Sequence, residues 1–420
     1  MPQDAMNPLH GLMAAKGEVA TPAGDAIKRA LQAVRGHLGM EVAYVSEFVG
    51  ERSVFRDVDA PGLESLIKAG DSHSLDDIYC RHILAGRLPQ LIPDTSAEPL
   101  AMSMPITGAV PIGKHMSVPI RLPDGRVYGM FCCLGRNADL SLNERDLQMM
   151  KAFADFTAFE ISRDFDATKL AEDKAARVTR VLDGNHIAIV YQPIWHLGTR
   201  RPIGLECLAR FTSTPYSAPD VWFREAAETG MGIALEMAAV KVALAALPSV
   251  PETTYLAVNA SPQTILSPEL SRALEGLPAE RIVLEITEHA HVDDYDQLLG
   301  ALQPLRQAGV RVAVDDAGAG YASLQHILQL KPDLIKLDMA LTRNIDADRP
   351  RRALASALIG FAQETGSRII AEGVETAGEL AVLRDLGVEK AQGYFLGRPT
   401  SLEHALKLIA RELRGSPRAA

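Results

Sequence analysis

From Glu206 to Gln392, polar side chains recur at the ends of short apolar runs, and nearly all of them carry oxygen. Glu206 lies in Gly-Leu-Glu-Cys-Leu-Ala-Arg, Asn259 closes Tyr-Leu-Ala-Val-Asn, and Glu285 and Glu288 lie in Val-Leu-Glu-Ile-Thr-Glu. Asp315 and Asp316 close Arg-Val-Ala-Val-Asp-Asp, Lys336 sits in Leu-Ile-Lys-Leu-Asp, Glu372 and Glu375 in Ala-Glu-Gly-Val-Glu-Thr, and Gln392 in Ala-Gln-Gly-Tyr. A lone carboxylate at such a place is more often a helix cap or an ion-pair partner than a metal ligand. Many gathered at one place would repel each other and raise their own pKa values unless a cation neutralised them. Oxygen ligands without His or Cys favour Mg²⁺ or Mn²⁺ over zinc or copper, and their number suffices for two ions. Two such ions can stabilise the attacking and leaving oxygens of a phosphoryl centre. Asp315-Asp316 run directly into Ala317-Gly318-Ala319-Gly320-Tyr321, which places two carboxylates at the start of a flexible loop, as a metal site with a movable lid requires.

Side chains so far apart in sequence meet only if the fold brings them to one mouth. The runs 187–194, 204–211, 254–260, 281–287, 310–315, 334–338, 368–372 and 390–395 read as eight strands separated by helical stretches. Alternation of this kind predicts a parallel sheet, and eight units in a little over two hundred residues fit a closed β/α barrel, whose C-terminal mouth gathers catalytic groups. No glycine-rich phosphate loop follows the first strands, which argues against a dinucleotide-binding open sheet.

The barrel occupies only part of the chain. At 420 residues, two domains are expected. The spacing predicts a loose tail over residues 1–24 and an α+β domain over 25–161, with a helix from Ala26 to Leu38, a strand from Met40 to Val49 and a helix from Ser74 to Leu84 capped by Ser74. Two apolar runs around Leu122-Pro123-Asp124-Gly125-Arg126 predict a hairpin. Residues 143–182 lack proline and glycine and repeat apolar positions at intervals of three and four, so they predict a long helix whose charged second part makes 162–184 the linker to a barrel at 185–420. The fold class is α/β: a C-terminal β/α barrel preceded by an α+β domain.

Composition excludes some partners. Apolar residues at 47% and charged residues at 23% are those of an ordinary globular chain. A net charge of −10 argues against nucleic-acid polymers and anionic membranes. No segment is expected to reach the apolar length of a membrane span, and the N-terminus lacks the pattern of a secretory signal, so the expected location is cytoplasmic. Cys80, Cys132, Cys133 and Cys207 show no zinc or disulfide spacing and read as small buried apolar side chains.

The second half resembles the EAL-domain cyclic di-GMP phosphodiesterases. The likeness runs through Tyr191-Gln192-Pro193-Ile194, Glu206-Cys207-Leu208-Ala209-Arg210, Asn259-Ala260-Ser261, Glu285-Ile286-Thr287-Glu288, Asp315-Asp316-Ala317-Gly318-Ala319-Gly320-Tyr321, Ile335-Lys336-Leu337-Asp338, Ala371-Glu372-Gly373-Val374-Glu375 and Gln392-Gly393-Tyr394. The resemblance implies hydrolysis of one phosphodiester bond of cyclic di-GMP to linear pGpG in a homodimer. It implies Glu206, Asn259, Glu285 and Asp315 as ligands of one metal, Asp315 and Asp316 as ligands of the second, and Glu372 as the residue that completes the cluster. Lys336 and Gln392 would stand beside the attacking water or its metals, Glu288 would anchor the loop after Asp316, and Gln192 and Arg210 would contact substrate, an arginine fork being suited to phosphate. Cys207 replaces the signature alanine, and Ala317 replaces a phenylalanine that couples the site to the partner subunit. The alternative is a receptor that holds cyclic di-GMP without cleaving it; a third reading is a barrel using Mg²⁺ on an enolate.

The first domain resembles a GAF domain in Tyr79-Cys80-Arg81, the Leu122 to Arg126 hairpin, Gly129-Met130-Phe131-Cys132-Cys133-Leu134 and Glu144-Arg145-Asp146-Leu147. That likeness implies a regulatory domain that binds an unidentified small ligand or serves only to dimerise. The asparagine-lysine, phenylalanine, aspartate-glutamate signature of cyclic-nucleotide-binding members is not found.

Overall fold

The computed structural model describes residues 22–184, 186–214, 216–286, 292, 294–318 and 321–414. The chain divides into two compact units at Leu170/Ala171. In the first, six strands form one sheet in the order β3-β2-β1-β6-β5-β4: β1 (Val42–Val49), β2 (Arg52–Asp59), β3 (Ser72–Ser74), β4 (Leu91–Ile92), β5 (Lys114–Arg121) and β6 (Val127–Gly135). Alternation along β6 sends Phe131 and Cys133 to one face and Met130, Cys132 and Leu134 to the other. The first face packs on the helix Pro22–His37 and the start of the helix Glu144–Asp183, through Leu31, Val34, Leu147 and Met150. The second face is covered by the helix Tyr79–Leu84 and its flanking loops.

The hairpin of β5 and β6 and the long helix agree with the sequence expectations. The region after Ser74 differs. Ser72–Ser74 is a strand paired with β2, and the helix begins only at Tyr79: Ser74 ends the strand and caps a turn, its Oγ accepting from Asp76 N at 3.3 Å, but that turn does not continue into the helix.

In the second unit eight strands close a barrel: β7 (Ile187–His196), β8 (Arg201–Phe211), β9 (Tyr255–Asn259), β10 (Ile282–Ile286), β11 (Arg311–Ala317), β12 (Leu334–Leu337), β13 (Arg368–Ala371) and β14 (Lys390–Ala391). All eight expected strands are present, but the sheet is not wholly parallel. β7 runs antiparallel to both β8 and β14. The reason is local: β7 and β8 are joined by a short turn around Gly198 to Arg200, and a connection that short permits only a hairpin.

Leu284, Val314, Ile335 and Ala371 face outward onto the surrounding helices, while Ile194, Tyr255, Ala257, Val283, Ala313, Leu334 and Ile370 fill the barrel floor. Tyr255 needs space there, and β8 provides it at Gly204, where a Cβ would lie 2.4 Å from the tyrosine ring. One stretch, Gly232–Ser249, is apolar and long enough to cross a membrane, contrary to the sequence expectation on length. Its Leu235, Met237, Val240, Ala243 and Leu244 are buried in the barrel's hydrophobic core.

Candidate metal centre at the barrel mouth

The site follows from the two-residue period of a strand. Two positions beyond the floor residues Val283, Ala313, Leu334 and Ile370 stand Glu285, Asp315, Lys336 and Glu372, so side chains of the same face rise one layer toward the mouth. Glu206 stands two beyond Gly204, Asn259 two beyond Ala257 and Gln392 two beyond Lys390. On the reversed strand β7 the same layer is reached two residues earlier than Ile194, at Gln192, which lies opposite Glu206 in the register.

Lys336 stands at the centre, almost wholly buried. Its Nζ lies 2.9 Å from Glu372 Oε1, 3.0 Å from Asp315 Oδ2, 3.1 Å from Glu285 Oε2 and 3.2 Å from Glu206 Oε1. Burial alone would lower its pKa, but Asp315, Glu206, Glu285 and Glu372 together hold it well above the usual lysine range. The carboxylates fare differently. Burial, with the neighbouring acids adding to it, drives Glu285 and Glu372 well above the ordinary range in spite of Lys336. One ammonium is therefore too little positive charge for the acids around it. Glu285 Oε1 and Gln392 Oε1 are buried without a hydrogen-bond partner among the described residues.

Oxygens of Glu206, Glu285 and Asp315 lie within 4.8 Å of one another, and so do those of Asp315, Asp316 and Glu372. Asp315 belongs to both groups. In a regular strand Asp315 and Asp316 would point to opposite faces, but the pairing of β11 with β12 shifts register between Val314 and Ala317, and Asp316 adopts φ 55°. That bulge lets both carboxylates serve one centre. Burial, Asp315 and Asp338 raise the Asp316 carboxyl to about 6. Gly318 follows at φ 108°, where a Cβ would lie 2.2 Å from Leu341 Cδ1, so the exit from the bulge needs glycine. Ala317 is fully buried.

Gln392 Nε2 donates to Glu206 and, at 3.3 Å, to Gln192 Oε1, whose own amide donates to Gly397 O at 3.1 Å. The two glutamines thus orient Glu206. Arg210 and Asn259 are not in the acid cluster. They line an adjoining cavity of about 520 Å³ together with Glu285, Asp220, Glu236 and Ser261, and Arg210 Nη1 donates to Ala209 O at 2.8 Å. Glu375 points elsewhere, to Arg343 at 2.5 Å. Glu288 lies outside the described residues. One residue went unnoticed in the sequence: Glu236, on the helix Gly232–Leu244, accepts from Ser261 N at 2.8 Å and fixes the turn after Asn259. Nothing in its helical surroundings marks it, since its partner is a backbone amide 25 residues away.

The donor set fits divalent cations. Two overlapping oxygen clusters, unpartnered buried acceptors and carboxyls forced upward are what hard cations of the Mg²⁺ or Mn²⁺ type would relieve.

Fold and mouth define a β/α barrel with one reversed strand and an acidic, lysine-centred pole. The model of the EAL domain matches residues 175–399, more than half of the chain, and the protein belongs to that family; residues 20–162 match a GAF domain. Among curated proteins, the cyclic di-GMP phosphodiesterase NbdA of Pseudomonas aeruginosa is 30% identical over 382 residues, covering 86% of this chain and 46% of its own length. The chain thus corresponds to less than half of that relative. Among solved structures, a cyclic di-GMP complex of the MucR phosphodiesterase is 26% identical at TM-score 0.50, covering 56% of this chain and all of the other. An EAL enzyme in its cAMP- and cyclic-di-GMP-bound form shares the fold over 88% of this chain and 93% of its own, with TM-score 0.55 and 18% identity.

Proposed function

We propose that this protein hydrolyses one phosphodiester bond of cyclic di-GMP to give linear pGpG, with two divalent cations, Mg²⁺ or Mn²⁺, and that its GAF domain regulates the reaction. The observation that carries the reading is the pair of oxygen clusters joined at Asp315. Glu206, Asn259, Glu285 and Asp315 would hold one cation, and Asp315, Asp316 and Glu372 the other. When bound, such cations lower the pKa of water and offset charge on the phosphoryl oxygens.

The protein's own groups do the rest. Lys336, in contact with four carboxylates, keeps them converged and supplies a proton donor beside the reacting phosphate. Gln392 and Gln192 fix the orientation of Glu206. Arg210, at the rim of the adjoining cavity, is suited to grip a phosphate with its planar fork. Regulation is supported by the GAF match and by one uninterrupted helix, Glu144–Asp183, that begins in the first unit and ends in the second. A homodimer and a cytoplasmic setting belong to the same reading.

The test is chromatography of cyclic di-GMP incubated with purified protein and Mg²⁺ or Mn²⁺. The expected product is pGpG, absent in chelator and with an unrelated cyclic dinucleotide. Tight binding without product would replace the enzyme with a receptor. Equal activity of the full chain and its 171–420 segment, under conditions that change the full chain's rate, would remove the regulatory part.

A further inference from the structure

The barrel carries a second charged layer, at the end opposite the mouth. Two positions before the floor residues Ala313 and Ile370 stand Arg311 and Arg368, and Lys390 stands two before Gln392, so these side chains lie on the inward face and one layer below the floor. His196, the register partner of Lys390 on the reversed strand β7, joins them. All four, with Arg281, line one cavity of about 290 Å³.

Positive charge is in excess there. The acids on the cavity wall are Glu252 and Glu280, both exposed, and against Arg281, Arg311, Arg368 and Lys390 they leave two positive charges in a chain of net charge −10. Arg281 is tied to the backbone oxygens of Val250 and Pro251 at 2.8 and 3.0 Å. Arg311 donates to Glu280 O at 3.3 Å and lies over the Tyr255 ring, its Cζ 4.5 Å from the centroid. Arg368 and Lys390 have no side-chain partner among the described residues. For the exposed Arg368 water suffices. Lys390 is only 4% exposed, and an ammonium so buried is costly unless an anion meets it. Burial, with Arg368 and Arg311 adding to it, lowers Lys390 to about 8 against the opposite pull of Glu389, so it still carries its charge at pH 7. His196 accepts from Thr199 N through Nδ1 at 3.1 Å, which leaves its proton on Nε2 as a further donor.

We propose that this cavity binds a phosphate group, as the free ion or as a terminal monoester, at the end of the barrel away from the metal centre. A phosphate dianion cancels the two surplus charges, its oxygens suit the planar forks of Arg311 and Arg368, and Lys390 gains the counter-ion that its burial calls for. The cavity leaves room beside a phosphate for a substituent. The proposal does not rest on the activity of the barrel, since none of these residues belongs to the mouth.

Calorimetric titration of the full-length protein tests it, in chelator at pH 7 and matched ionic strength, with inorganic phosphate in one arm and a nucleoside monophosphate in the other. The expected result is saturable one-to-one binding, weakened at least about tenfold by R368Q and by K390M and unchanged by R210Q, whose arginine lines the cavity beside the mouth. Tighter binding of the monophosphate assigns the site to a monoester, and tighter binding of inorganic phosphate assigns it to the free ion. R368Q alters an exposed side chain and so leaves the fold intact, which circular dichroism checks in each variant. No saturable binding of either probe, or undiminished binding in either R368Q or K390M, would overturn the proposal. Loss of binding in R210Q would overturn it as well, by placing the phosphate beside the metal centre.

Discussion

The barrel mouth and the GAF cavity both bury ionisable side chains, and they hold them by opposite means. At the mouth, four carboxylates crowd one ammonium, and charge is left over. In the cavity, Cys80, Tyr79 and His115 stand among apolar walls, and Tyr79 is tied by a hydrogen bond to Thr107, so uncharged groups suffice. Excess buried charge calls for a counter-ion, whereas buried uncharged polar groups need only hydrogen-bond partners.

The sharpest way to divide the two is to remove a mouth carboxylate. Asp315→Asn and Glu206→Gln are each expected to lower turnover of cyclic di-GMP by about 10⁴-fold, as loss of a central catalytic group does. Full turnover in either variant would break the comparison at its stronger end.

Lys336→Met comes next. In chelator it leaves four acids converged without their ammonium, and urea unfolding should register a loss of about 3–5 kcal/mol. Added Mn²⁺ should restore most of it. Cys132→Ala should cost about 1–2 kcal/mol, the effect of a small gap in a packed core, and should not respond to the cation at all. A cation-dependent loss at Cys132 would erase the distinction drawn between the two sites.

The smallest effect concerns pH. Asp316, raised to about 6, keeps a proton in the folded chain that the unfolded chain releases near pH 4. Its contribution in cation-free protein is therefore full below about pH 4 and is lost as pH rises through 6. Asp316→Asn removes that dependence. In chelator, the variant should be more stable than the parent at pH 7 by about 1 kcal/mol, after discount for partial exposure, and the gap should close toward pH 4. A gap that is constant across this range would return the carboxyl to its ordinary behaviour.

Much of the barrel was legible because its strands are short apolar runs with helical spacing between them, and Glu285, Asp315, Lys336 and Glu372 could be placed at the mouth from their positions in those runs. The reversal of β7 was not, since strand direction depends on the length of the β7–β8 turn and not on the pattern within either strand. The bulge at Asp316 escaped for a related reason: a positive φ at aspartate leaves no mark in composition. In the GAF domain the hairpin could be read and the packing of its buried face could not. Cys132 faces Ser117 through the register between β5 and β6, and Cys80 joins the same core from the helix Tyr79–Leu84, both properties of tertiary packing.

Lys336 also bears on how the proposed dinucleotide would reach so acidic a protein. The five carboxylates of the two oxygen clusters, set against a single ammonium, leave four negative charges, the number that two divalent cations cancel. A loaded mouth is then electrically neutral inside a chain of net charge −10. A dianionic dinucleotide would cross a repulsive field only on approach and find none at its destination, so adding salt should speed its capture rather than weaken its hold.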